Sequence, residues 1–349
     1  MKRNYIAKRF QSGGAGLSLD TEALSKYKDI IDLSIGDTDF TTDEAIIDAA
    51  FRDARLGHTH YGDPKGDPEL ISAVCRAWEE DFGQPLSSDH VLVSASSCLG
   101  MALTMLAILD PGDEVIVFSP YFAMYRTQIE LAGGVCVDVP TYASENYAID
   151  EARLRAAITP RTKAIIFNNP TNPTGMGYDM DTLSLLSRVA QEYDLLIAAD
   201  EIYTTYLYEG NFRPLRTLPG MAERTITLNS FSKNFLMTGW RVGVIIAEPE
   251  LLAVMNNING SLIYSAPSVS QRAAIQALFM RAEIRKKYVS AYQDRIFYSA
   301  DRIEKIPYLS LVRPKGTFYL FPGIEKTGLD EKQFCKVLLE QAHILVSPG

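Results

Sequence analysis

The 349-residue chain has 47% hydrophobic residues and a net charge of −9, which fits a globular protein of about two domains. The acid excess speaks against the clustered basic footprint of a nucleic-acid binder but leaves room for a local anion pocket. The four cysteines, Cys75, Cys98, Cys136 and Cys335, form no C-x-x-C pair and fit a reduced, cytoplasmic protein. No apolar run reaches the length of a membrane span. The basic start Met1-Lys2-Arg3-Asn4-Tyr5 lacks the apolar stretch of a signal peptide. His58 and His60 form a lone H-x-H with no third ligand apparent, so no metal site is expected.

In chain order, Ala45, Ile46, Ala49 and Ala50 recur at helical spacing behind Asp43-Glu44. Asp67-Pro68 reads as a helix cap followed by a first-turn proline, with Gly83 as the stop. Tyr61-Gly62-Asp63-Pro64-Lys65-Gly66 is a turn led by a tyrosine. Apolar runs at 91–94, 114–118, 163–168, 195–199, 225–228 and 242–247 read as buried strands. Helix-length segments such as 99–109 and 181–193 lie between several of them, which predicts an α/β domain with a mostly parallel sheet. The interval from Leu228 to Val242 is too short for a crossover helix, so the strand at 242–247 is expected to run antiparallel. Beyond Ile284 a charged helix (285–305), an aromatic strand (316–321) and a second helix (330–342) predict a separate α+β domain.

Chemistry in such a sheet collects at the carboxyl ends of the strands. After the strand at 91–94, Ala95-Ser96-Ser97-Cys98-Leu99-Gly100 places small residues at a helix start, where backbone N–H groups suit a phosphate. Simple capping by Ser96 or Ser97 is an equal reading. Neither GxGxxG nor a Walker lysine is present, so nucleotide binding is not indicated. Phe122, in Ser119-Pro120-Tyr121-Phe122, could stack on a planar ring or fill the core. Asn168-Asn169-Pro170-Thr171-Asn172-Pro173-Thr174-Gly175 is a turn by composition. Asp200 ends a strand, where a carboxylate could pair with a protonated pyridine nitrogen or serve only as a helix cap. Tyr203 follows three residues on. In Ser230-Phe231-Ser232-Lys233, with Arg241 eight positions further, an amine that can attack an aldehyde neighbours hydroxyls and a guanidinium that can hold a phosphate. Pyridoxal 5'-phosphate (PLP) presents both groups on one ring.

Taken in order, Asn172-Pro173-Thr174-Gly175, Asp200-Glu201-Ile202-Tyr203, Ser230-Phe231-Ser232-Lys233 and Gly239-Trp240-Arg241-Val242-Gly243 resemble the fold-type I PLP-dependent aminotransferases of class I/II, the aspartate aminotransferase-like family. The resemblance runs from about Leu33 to the end. It implies a seven-stranded, mostly parallel sheet in a large PLP-binding domain (41–285) and a small domain built from 1–40 and 286–349. Carried over by position, Lys233 resembles the Schiff-base lysine and proton shuttle, and Asp200 the partner of the pyridine nitrogen. Asn172 and Tyr203 correspond to the holders of the ring oxygen. Ser230, Arg241 and Ser96-Ser97-Cys98 correspond to the phosphate site, and Phe122 to the stacking aromatic. Tyr61 resembles a tyrosine that reaches the neighbouring subunit's cofactor, which implies a homodimer with shared sites. Gly36 and Asn172 resemble substrate-binding residues. Cis bonds are implied at Ser119–Pro120 and Asn172–Pro173.

Two departures stand out. The phosphate turn, often Gly-Ala-Ser, is Ser96-Ser97-Cys98 here, and the arginine that grips the substrate carboxylate in the family falls beyond Gly349. The activity implied is amino transfer between an α-amino acid and a 2-oxo acid. The rivals are a PLP-dependent C–S β-lyase on the same scaffold and, more distantly, a ligand-sensing domain of a regulator, which has too little chain ahead of it here for a DNA-binding module.

Overall fold

The computed structural model describes Tyr5 and residues 26–349. Most of the segment 1–25, part of the expected small domain and of the N-terminal stretch tested for a signal peptide, lies outside the described residues. The strands are β1 (Ile31–Asp32), β2 (Val91–Ser94), β3 (Glu114–Ser119), β4 (Val135–Pro140), β5 (Thr162–Asn168), β6 (Leu196–Asp200), β7 (Thr225–Ser230), β8 (Gly243–Ile246) and β9 (Ile344–Leu345). Seven of them form one sheet in the order β2-β8-β7-β6-β5-β3-β4.

β2, β3 and β5 to β8 are buried along nearly their whole length, because helices cover both faces. This is why they read as continuous apolar runs. β8 alone is antiparallel to its neighbours β2 and β7. Between β7 and β8 the chain holds only the short helix Phe231–Asn234 and a 3₁₀ turn, Thr238–Trp240, as the short interval predicts. The helix caps follow the sequence as well. Asp67 accepts from the Glu69 N–H at 2.8 Å, and Gly83 ends that helix at φ +71°.

Three local expectations need correction. β4 was not anticipated: it is an edge strand with exposed positions at Val135 and Asp138, so it lacks an unbroken apolar run. The aromatic stretch 316–321 is not a strand. Thr317 takes a left-handed conformation (φ +61°), and only an isolated bridge between Leu207 and Gly316 remains. The charged helix is interrupted, with a π turn at Arg285–Val289 before the helix Ser290–Ile303. A further feature is the small parallel pair of β1 with β9. It ties the segment carrying Gly36 to the C-terminal part of the chain, helped by the bond from Ser347 Oγ to the Ser34 carbonyl at 2.7 Å.

Register brings the strand ends to one edge. Asn168 is level with Asp200, and Gly243 is level with both Ser94 and Ser230. Gly243 is a glycine for steric reasons. A Cβ there would sit 2.8 Å from the Ser97 nitrogen and 2.9 Å from the Asn229 oxygen, both backbone atoms that cannot swing aside. Gly243→Ala is therefore expected to cost about 1–3 kcal/mol through overpacking, read as a lowered urea midpoint. An unchanged midpoint would show that the strand and the turn can separate freely.

Candidate active site

Asp200 closes β6 with 9% of its surface exposed. Its Oδ2 accepts the Tyr125 hydroxyl at 2.6 Å, and Oδ1 accepts the Ile202 N–H at 3.3 Å. Burial pushes the carboxyl up to about 6, against the opposing pull of these two donors. Both donors are neutral, so the site presents a buried acid in need of either a proton or a cationic partner. Asn168, at the end of β5, links two parts of the site. Its Nδ2 donates to the Asp200 carbonyl at 2.8 Å, and its Oδ1 accepts the Asn172 N–H at 2.7 Å. Ser119–Pro120 and Asn172–Pro173 are cis as expected, and Asn169–Pro170 is cis too.

Lys233 lies in the single helical turn after β7. Ser230 caps that turn, its Oγ accepting the Ser232 N–H at 3.1 Å. The lysine amine donates to the Gly36 carbonyl and lies 5.6 Å from the centre of the Phe318 ring. Burial pushes it down to about 8; Asp37 opposes this and Arg241 adds to it. Arg241 takes a left-handed backbone (φ +56°), donates to the Thr238 carbonyl at 2.7 Å and remains exposed. It is within electrostatic reach of both Lys233 and the Cys98 thiol. Ser96 caps the helix Ser97–Ile108, accepting the Leu99 N–H at 3.0 Å, while Ser94 Oγ holds the Ser96 carbonyl at 2.8 Å. The helix start is thus fixed against Gly243, two residues from Arg241.

Tyr203 and Tyr319 share a hydroxyl–hydroxyl bond of 2.7 Å. Phe122 meets Tyr125 edge-on at 5.6 Å. The structure therefore brings Gly36, Lys233, Ser230, Arg241, Ser96, Ser97, Cys98, Asp200, Tyr203, Asn172 and Phe122 to one edge of the sheet. Tyr61 is not drawn in with them. It is 87% exposed, and its ring meets that of Tyr264 edge-on, 5.1 Å away. Sequence reasoning gave no site role to Tyr125, Asn168, Phe318, Tyr319 and Gly243. Asn168 carried a usable signal, as a polar residue ending a predicted strand at the functional edge. Tyr125 carried none, since its contact with Asp200 spans 75 positions.

These residues fit PLP. A protonated ring nitrogen is the cationic partner that the Asp200 carboxyl lacks. A capped helix start backed by a glycine suits the phosphate, and a lysine amine with a depressed pKa suits the aldehyde. The same acid makes a stability prediction. Its unfolded pKa is near 4 and its native value about 6. Between these values the native protein keeps a proton that the unfolded chain has lost, so stability falls as pH rises through that window. Two units correspond to on the order of 3 kcal/mol. Asp200→Asn should flatten the loss of apoprotein stability between pH 4 and 6, measured by urea unfolding. An unaltered pH profile would mean that the acid is already compensated.

The sequence profile of the aminotransferase class I and II family matches residues 28–349. The aspartate/prephenate aminotransferase of Thermus thermophilus is 37% identical over 325 residues, covering 92% of this chain and 83% of that protein. Among solved structures, a single mutant of Thermus thermophilus aspartate aminotransferase superposes with a TM-score of 0.94 at 33% identity, covering 99% of this chain and 92% of that one. An aromatic aminotransferase from Pyrococcus horikoshii gives 0.89 at 32% identity, covering 94% of this chain and 89% of that one. With its fold, its strand-end residues and its sequence all in agreement, the chain belongs to the class I and II aminotransferases.

Proposed function

We propose that the strand-end cluster is the PLP and substrate site of this aminotransferase, with Lys233 and Asp200 as its two poles. The reaction class is amino transfer between an α-amino acid and a 2-oxo acid, with PLP as cofactor. The observation that carries the residue assignments is geometric: neighbouring strand ends bring together a buried carboxyl, held by the Tyr125 hydroxyl and the Ile202 N–H, and a part-buried lysine whose amine meets the Gly36 carbonyl. The carboxyl of Asp200 is pushed up to about 6 and the amine of Lys233 down to about 8. A structural ion pair would shift both groups toward their charged forms. When bound, PLP supplies an aldehyde that takes up an amine and a ring that withdraws electrons from the substrate Cα.

In this reading Asp200 holds the proton on the ring nitrogen, and Tyr125 holds Asp200. Asn172 and Tyr203 would hold the ring oxygen, and Phe122 would stack on the ring. Ser230, Arg241 and the Ser96-Ser97-Cys98 turn bind the phosphate. The Gly36 backbone and Asn172 face the substrate. With PLP bound, the Lys233 amine would be the base that takes the proton from the substrate Cα and holds it for return. The contact of its amine with the Gly36 carbonyl supports a lysine facing the substrate segment. The division into a large domain (41–285) and a small one (1–40 with 286–349) is part of the same proposal. So is a cytoplasmic location. Among the described residues no helix is long and apolar enough to cross a membrane.

The working unit proposed is a homodimer in which Tyr61 serves the partner's site; its 87% exposure supports a residue that awaits a second subunit. Mixing inactive Tyr61→Ala and Lys233→Ala subunits should then restore activity, because one site of each hybrid holds both residues. Hybrids without activity would contradict sharing.

The roles of Lys233 are tested on the holoenzyme. Borohydride reduction followed by peptide mapping should place the cofactor label on Lys233. Lys233→Ala should lower turnover by at least about 100-fold, the low end of proton-transfer contributions. PLP uptake by the apoprotein should accelerate as pH rises through about 8, where the amine loses its proton. Label on another lysine would overturn the assignment. The reaction itself is read by mixing holoenzyme with single amino acids, expecting loss of the visible PLP absorption together with one equivalent of 2-oxo acid. Release of pyruvate and thiol from cystathionine, without amino transfer, would instead indicate the lyase.

A further inference from the structure

Tyr319 reaches the site from the stretch that was expected to be a strand. Its hydroxyl lies 2.7 Å from that of Tyr203, and the two rings meet nearly at right angles, 5.7 Å apart. Its position is set from three sides. The Thr317 hydroxyl accepts the Tyr319 N–H at 3.1 Å. Phe318, its neighbour in the chain, packs edgewise on Tyr203 at 5.7 Å. The segment carrying Gly36 runs past the phenol so closely that a Cβ on Gly36 would come within 1.9 Å of its oxygen. Tyr319 therefore touches two elements assigned to cofactor and substrate while belonging to no motif.

A phenol has one proton to donate and lone pairs to accept with. Burial pushes Tyr319 up to about 12 and Tyr203 well above the ordinary tyrosine value, so both hydroxyls keep their protons in the working range. Two neutral phenols in contact can point their protons either way. If Tyr203 gave its proton to Tyr319, it would have none for a third group.

We propose that Tyr319 is a positioning residue that donates to Tyr203 and so directs the single proton of Tyr203 to the ring oxygen of PLP. The proposal rests on the reading of Tyr203 given above. Each phenol in the chain Tyr319 to Tyr203 to ring oxygen polarises the next, strengthening the final bond by roughly 10–30%.

The test reads the pH midpoint of the visible absorption of bound PLP in the holoenzyme. Donation to the ring oxygen stabilises its negative charge, so the bound chromophore gives up its titrating proton at lower pH. Weakening that donation raises the midpoint. Tyr203→Phe should raise it by about 1–2 units, the effect of one hydrogen bond to a charged group. Tyr319→Phe, which keeps the ring and its packing, should raise it by about 0.2–0.5 unit. In the Tyr203→Phe background Tyr319→Phe should add nothing. An equal shift in both backgrounds, or none in the native one, would overturn the proposal while leaving the Tyr203 assignment intact. No shift in Tyr203→Phe alone would overturn that assignment and the proposal with it.

Discussion

A carboxyl at the end of a buried strand, surrounded by apolar side chains and neutral donors, cannot ionise cheaply. Asp200 is in that position, and much of the site can be understood as arranged around it. Tyr125 takes one oxygen, the Ile202 N–H the other, and Asn168 pins the Asp200 carbonyl while anchoring the turn that carries Asn172. The missing element is a positive charge. In the proposed reading a protonated pyridine ring would supply it, so that the acid gains a partner and the ring keeps the proton that makes it an electron sink. The strain of burying an acid in the empty protein becomes selectivity for one kind of ligand.

Around this centre the fold works by close approach. Gly243 lets β8 press against the start of the helix Ser97–Ile108, which sets the distance between the Arg241 backbone and the Ser96-Ser97-Cys98 turn. Gly36 does the same against Tyr319. In both places the contact joins segments more than a hundred residues apart, and in both a side chain would push them apart. The pairing of β1 with β9 serves the same end, since it ties the segment that leads to Gly36 to the C-terminal part of the chain.

What the sequence revealed follows a physical rule. Strands covered on both faces leave an unbroken apolar signature, so β2, β3 and β5 to β8 could be read directly, and the short gap before β8 gave its direction. The edge strand β4 lacks that signature because one side meets water. The stretch 316–321 carries strand-like residues, yet Thr317 turns the chain so that Phe318 and Tyr319 can face the site. Tertiary contact overrode local preference there. The residues with fixed local settings, such as Lys233 after its serines or Asp200 at a strand end, were legible in the sequence. Tyr125 and Tyr319 owe their roles to partners distant in the chain, and no local pattern marks them; Gly243 stood in a motif, but the close approach that requires it could not be read there.

Below about pH 6 Asp200 holds its proton in the apoprotein, and opposite the ring nitrogen of PLP it would be ionised. Infrared difference spectroscopy near pH 5, comparing apoprotein with holoenzyme and with Asp200→Asn as the control, reads this directly. A protonated carboxyl band in the apoprotein should disappear when PLP binds, replaced by a carboxylate signal, with neither change in the Asp200→Asn protein. A carboxyl band that persists unchanged on PLP binding would contradict it.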